Sequence, residues 1–142
     1  MPPGLYDDDP EYRQGRYSGS KAYARTKRMQ QVLANLWAQR LATSGVVSHA
    51  MHPGWVDTPG VRTFLPKLRA ASALLIRTPE QGADTIVWLV ASPSAARSTG
   101  KFWSDRRQRP TTYAGRPRET EKQRQRFWDY CEQATSADSH SR

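Results

Sequence analysis

Thr43-Ser44-Gly45-Val46-Val47-Ser48-His49-Ala50-Met51-His52-Pro53-Gly54 packs three transitions into a short stretch. Thr43-Ser44-Gly45 closes an amphipathic segment, and Gly45 accepts the left-handed backbone that a helix C-terminus needs. Val46 to Met51 is short and β-branched at its start. A long helix feeds it and a Pro53-Gly54 turn leaves it, so it reads as a buried parallel strand. Upstream, Val32, Leu33, Leu36, Trp37 and Leu41 recur at three- and four-residue spacing, while Arg28, Gln31, Asn35 and Gln39 take other faces. That pattern predicts one amphipathic helix over residues 20–42, with Ser18 or Ser20 as its cap. A helix returning into a parallel strand makes the fold class α/β.

Downstream, Thr58-Pro59-Gly60-Val61 reads as a loop entering a short helical stretch through Leu65 and Leu68. Leu74-Leu75-Ile76 is the most apolar patch of this region. Thr78-Pro79-Glu80-Gln81 has the form of a helix cap with proline at the first helical position. Ala83, Ile86, Val87, Leu89 and Val90 carry that helix to about residue 91. Ser94 to Thr99 reads as a loop, Gly100 to Trp103 as a last short strand, and Arg107 to Arg118 as irregular. Thr120 to about Thr135 is predicted helical, with Phe127, Trp128 and Cys131 on its apolar side. The organisation expected is an irregular lead-in over 1–17, one domain over 18–135 and a disordered tail over 136–142. Two strands and three main helices leave a parallel sheet short of neighbours and of covering layers.

The 142 residues suffice for a single domain. A mean hydropathy of -0.83 marks a polar chain. No apolar run approaches the roughly 20 residues that cross a bilayer. The acidic N-terminus lacks the basic and apolar regions of a secretion signal, so a cytoplasmic location is expected. Cys131 has no partner for a disulfide, and zinc-type ligand spacing is missing, so no metal site is expected. The net charge of +9 concentrates between Arg97 and Arg126, where ten basic residues face three acidic ones. Such a stripe suits nucleic acid, an acidic membrane face or a cofactor phosphate, or else it is a solvated arginine-rich surface. No helix-turn-helix, finger or RNA-binding aromatic motif accompanies it, so no specific nucleic acid is expected.

Tyr23 and Lys27 stand at i and i+4 on the long helix, hence on one face. An ammonium near a phenol favours the phenolate, which suits acid/base work. The bland reading is an aromatic packed at a helix start beside a lysine reaching for water. The Pro53-Gly54 loop leaves the carboxyl end of a strand, where open α/β sheets bind ligands. Gly54 allows close backbone approach, and Thr58 offers a hydroxyl to a phosphate or carboxamide. A plain turn and a plain helix cap account for the same residues.

Tyr23-Ala24-Arg25-Thr26-Lys27-Arg28, Met51 to Val61, Gln81-Gly82-Ala83-Asp84-Thr85 and Gly100 to Arg106 occur in an order that resembles the C-terminal half of a short-chain dehydrogenase/reductase. The resemblance runs from about residue 17 to 134 and is strongest to the branch of dehydrogenase/reductase member 12. It implies the C-terminal part of a Rossmann-type doubly wound parallel sheet. Tyr23 would be the catalytic acid/base. Lys27 would assist it and hold the nicotinamide ribose of NAD or NADP. Pro53, Gly54, Val56 and Thr58 would lie along the cofactor, and Trp55 would be a near-site aromatic wall or a core residue. His49 and His52 are expected to be structural. The implied substrate is a small apolar carbonyl/alcohol pair, given Leu65, Leu68, Leu74, Leu75 and Ile76.

The family's glycine-rich turn, Asn-Ala-Gly segment and active-site serine are not among these residues. The expectation is a truncated chain that lacks the N-terminal half and is inactive by itself. Its expected partners are a complementary N-terminal half or a homo-oligomer. The alternative is an interaction protein that docks through its amphipathic helix.

Overall fold

The computed structural model describes residues 5–64, 75–112 and 119–139. Leu65, Leu68 and Leu74, named above for the substrate side, lie outside the described residues. The elements in chain order are α1 (Gly19–Arg40), β1 (Ala50–Met51), α2 (Pro59–Phe64), α3 (Pro79–Ala91), α4 (Pro93–Ala96), β2 (Phe102–Ser104), β3 (Arg107–Arg109) and α5 (Glu121–Ser139). They fall into two compact units. One contains the residues up to Val46 together with those from Thr112 onward, and the other spans Val47–Thr111.

In the first unit α1 and α5 pack together. Met29, Val32 and Leu36 of α1 meet Phe127 and Trp128 of α5, and Leu5 of the lead-in completes the core. Val32 and Leu36 are only 1% exposed. Burying such aliphatic side chains contributes about 1.5–3 kcal/mol apiece. Much of the apolar stripe of α1 is therefore used inside the unit, with Trp37 left 43% exposed. The helix ends at Arg40, with Gly45 in the left-handed region (φ 76°) four residues past the C-cap Leu41.

The described residues of the lead-in form no helix or strand, yet they are fastened down. Arg25 of α1 donates to the Asp9 carbonyl and, at 3.3 Å, to its carboxylate. The guanidinium lies 3.9 Å from the Tyr6 ring centroid and 4.2 Å from that of Tyr12. Asp9 also accepts the amides of Arg13 (2.7 Å) and Gln14 (3.3 Å). Burial works to raise the Asp9 carboxyl. Those amides and the Arg25 guanidinium outweigh it and hold the group below the usual carboxylate range. Asp7 accepts from Arg126 at 2.7 Å, tying the lead-in to α5 as well. The α5 helix runs to Ser139, four residues beyond the expected boundary.

The second unit is a three-stranded sheet of order β1-β2-β3. β1 pairs parallel with β2, as expected, while β2 and β3 pair antiparallel. The third strand corrects the expectation of an irregular Arg107–Arg118 stretch, and the sheet is mixed rather than all-parallel. Asp105 and Arg106 form the connecting two-residue turn with both φ values positive (56° and 55°), the backbone of a tight hairpin. Side chains hold it there, because Arg106 binds the Asp84 carboxylate and Asp105 binds Arg77 at 2.6 Å. Ser94 to Ala96, expected as loop, belong to the single helical turn α4. The cap of α3 is as expected: Thr78 Oγ1 accepts the Gln81 amide and Gln81 Oε1 accepts the Thr78 amide.

Val46 and Val47, expected in a buried strand, are 49% and 42% exposed. The strand is shorter than expected: β1 covers only Ala50–Met51, outermost in the sheet, and both valines lie ahead of it. Its second edge meets no strand among the described residues.

Candidate active site in two parts

The residues singled out in the sequence fall in different units, and each part has its own geometry. Tyr23 and Lys27 sit on α1 in the first unit. Tyr23 is 66% exposed, so a phenol is presented to solvent rather than packed as an aromatic plug. Lys27 Nζ lies 5.5 Å from the Tyr23 ring centroid, which confirms the shared face. The same ammonium donates to Gln30 Oε1 at 3.2 Å, one turn further along. Between them, Thr26 Oγ1 donates to the Tyr23 carbonyl at 2.8 Å. Arg25 points to the opposite side of the helix, into the clamp on Asp9. The exposed face therefore offers an acid/base group and a cation, while the buried face fixes the helix beneath them.

Pro53, Gly54, Val56 and Thr58 sit in the second unit, just past β1. Gly54 has φ +82°, a conformation open chiefly to glycine. A Cβ there would lie 2.8 Å from Arg77 Nε. Val56 forms a parallel bridge with Arg77 and turns its side chain onto α3. A Cβ on Gly82 would come within 2.6 Å of Val56 Cγ2, so Gly82 is required by close packing. Thr58 Oγ1 accepts the Val61 amide at 3.3 Å. The plain-cap reading of Thr58 is thus realised, and its hydroxyl hydrogen is still a donor. The Asp57 carboxylate accepts from Nε and Nη2 of Arg62, each at 3.0 Å. Trp55 is 48% exposed, a surface aromatic rather than a core one.

The two histidines are structural in a definite way. His49 Nδ1 accepts the Lys101 amide at 3.2 Å, and its ring stands edge-on to Trp103. His52 Nδ1 accepts the Gly54 amide at 2.9 Å and shapes the Pro-Gly turn. Sequence reasoning placed Asp105 in the Gly100 to Arg106 stretch but missed Arg77 and its pairing with that carboxylate. Their only signal was opposite charge at a distance of 28 residues, which no local pattern exposes.

No family model matches the chain. It is 43% identical over 108 residues to dehydrogenase/reductase SDR family member 12 of Bos taurus, covering 75% of this chain and 33% of that protein. The chain is related to the short-chain dehydrogenases/reductases. The human protein of the same name is 42% identical over 92 residues, covering 64% of this chain and 28% of its own length. Retinol dehydrogenase 11 of Mus musculus is 29% identical over 115 residues, covering 80% of this chain and 35% of its own. The chain thus spans about a third of the length of the curated relatives it matches. These relatives support a relationship to that family on the side of the member 12 branch. Among the described residues, no helix is long and apolar enough to cross a membrane.

Proposed function

We propose that these 142 residues are the catalytic, C-terminal part of a short-chain dehydrogenase/reductase acting on a small apolar carbonyl/alcohol pair. The observation that carries the proposal is the exposed Tyr23–Lys27 face on a helix whose other side is locked into a core. The relationship to the member 12 branch supports it. NAD or NADP, when bound, supplies or accepts the hydride. Tyr23 gives its phenolic proton to the carbonyl oxygen in reduction and takes it back in oxidation.

The resemblance assigns Lys27 of the helical unit to the nicotinamide ribose, and the Pro53–Gly54 turn, Val56 and the Thr58 hydroxyl of the sheet unit to the nicotinamide side. A pyrophosphate cradle of the G-x-G-x-x-G type is not contained in the 142 residues. A stretch that carries it is a required partner in turnover. The sheet supports the same reading, because the parallel β1–β2 pair ends at β1, whose outer edge is ready for the further strands of a doubly wound sheet.

The test is an assay of the full chain with NADH and NADPH against a panel of aldehydes and ketones. It is run alone and with an added polypeptide bearing the glycine-rich turn. The expected result is turnover only in the mixture. Cofactor-dependent turnover by the chain alone would defeat the requirement for a complementary stretch.

A further inference from the structure

We propose that Arg77 is a positioning residue for the Pro53–Gly54 turn and thereby for the nicotinamide side of the site. Four contacts converge on it. Its Nη1 donates to the Pro53 carbonyl at 3.2 Å and to Asp105 Oδ1 at 2.6 Å. Its main-chain amide donates to the Trp55 carbonyl at 2.7 Å, and its own carbonyl accepts the Asp57 amide at 2.9 Å. The side-chain stem lies over Gly54, in the space a Cβ would need. His52 holds the same turn from the Gly54 amide, so both faces of one peptide unit are pinned by side chains.

The brace has a fixed anchor. Asp105 sits in the left-handed β2–β3 turn, and its neighbour Arg106 ties that turn to Asp84 of α3. Nη1 serves the carbonyl and the carboxylate with its two hydrogens while Nε, Cζ and Cδ cover Gly54. A lysine ammonium keeps the charge but not the planar group that covers the glycine. The consequence for ligand binding is that the Pro53 carbonyl is already engaged by Arg77. The turn thus offers its remaining backbone groups in a set orientation. This inference rests on the proposed function for its cofactor side, while the brace itself stands on the contacts.

Hydrogen exchange read by mass spectrometry on the full chain separates the two. Arg77→Lys and Arg77→Gln are compared with the native chain, with and without reduced nicotinamide mononucleotide, the half-cofactor assigned to these residues. Exchange across residues 52–58 should quicken by about tenfold in both variants, the loss of one charge-assisted hydrogen bond. Exchange in α1 and α5 should not change. The mononucleotide should slow exchange at 52–58 in the native chain and need about tenfold more ligand to do so in Arg77→Lys. Native exchange at 52–58 in Arg77→Gln would overturn the proposal, as would equal mononucleotide affinity in the native chain and Arg77→Lys. If the native chain shows no mononucleotide effect while both variants loosen the turn, the cofactor reading fails and the brace is supported.

Discussion

The helical unit and the sheet unit solve the same problem with unequal success. Around α1 and α5, every large apolar residue of the core finds an opposite number, and the lead-in closes it through Leu5 and the Arg25–Asp9 clamp. Between Val47 and Thr111 the only buried hydrophobic residues are Ala95 and Trp103 among the described residues. There α3 turns Ile86, Val87 and Val90 outward at 49%, 62% and 87% exposure, although a helix apolar on several faces normally lies within a protein. The difference separates a unit packed within itself, which carries Tyr23 and Lys27, from a sheet unit that leaves apolar side chains exposed among the described residues.

The largest effect should come from the closed core. Leu36→Ala is expected to cost about 2–5 kcal/mol, the range for a fully buried leucine. Denaturant unfolding followed by tryptophan fluorescence measures it. A loss below about 1 kcal/mol would mean the helical unit is no tighter than the sheet unit.

Next comes Gly82→Ala in the sheet unit. Its new methyl would press on Val56, an overpacking worth about 1–3 kcal/mol. Hydrogen exchange should loosen at 54–58 and in α3 but not in α5. Equal loosening of α5 would show that the two units are energetically one.

The sequence revealed more of the elements than of their fastenings. The long helix, the Thr78 cap, the parallel pairing of Ala50–Met51 and the placing of Phe127 and Trp128 follow from short-range patterns, which a single sequence displays, whereas Val46 and Val47 lie outside the strand expected of them. Tyr23 and Lys27 were legible for the same reason, since one helical turn fixes their shared face. The β3 hairpin was not, because Asp105-Arg106 lacks the glycine or asparagine that advertises such a turn. It is held instead by Arg77 and Asp84. Asp9 and Arg25 likewise read as ordinary surface charges until the lead-in folds back onto the helix. Ion pairs across long chain separations leave no periodic trace.

The clamp on the lead-in gives a pH signature confined to one unit. Because the folded Asp9 carboxyl lies below its ordinary value, its contribution is complete above about pH 3.9 and is lost as pH falls through the lower folded value. Near-ultraviolet circular dichroism from Tyr6 and Tyr12 should stay constant from pH 6 to about 4 and diminish below that. Arg25→Met should show the diminished signal throughout. Loss of the signal at pH 5 in the native chain would contradict the clamp.

The smallest effect on stability belongs to the exposed stretch ahead of β1. Val47→Lys should change unfolding free energy by no more than about 0.5 kcal/mol, as exposed substitutions do. A charge beside an open strand edge disfavours pairing there, so any self-association through that edge should weaken in size-exclusion chromatography. Unaltered association would move attention from β1 to the outward face of α3.

The most direct test of the catalytic assignment is the reduction rate of Tyr23→Phe, measured with the complementary glycine-rich stretch present and NADH or NADPH in excess. Loss of one acid/base group should slow turnover by about 10²–10⁴-fold while the native helix content is kept, since an exposed phenol is all that changes. Turnover equal to that of the native chain would contradict the assignment of Tyr23 as the proton donor.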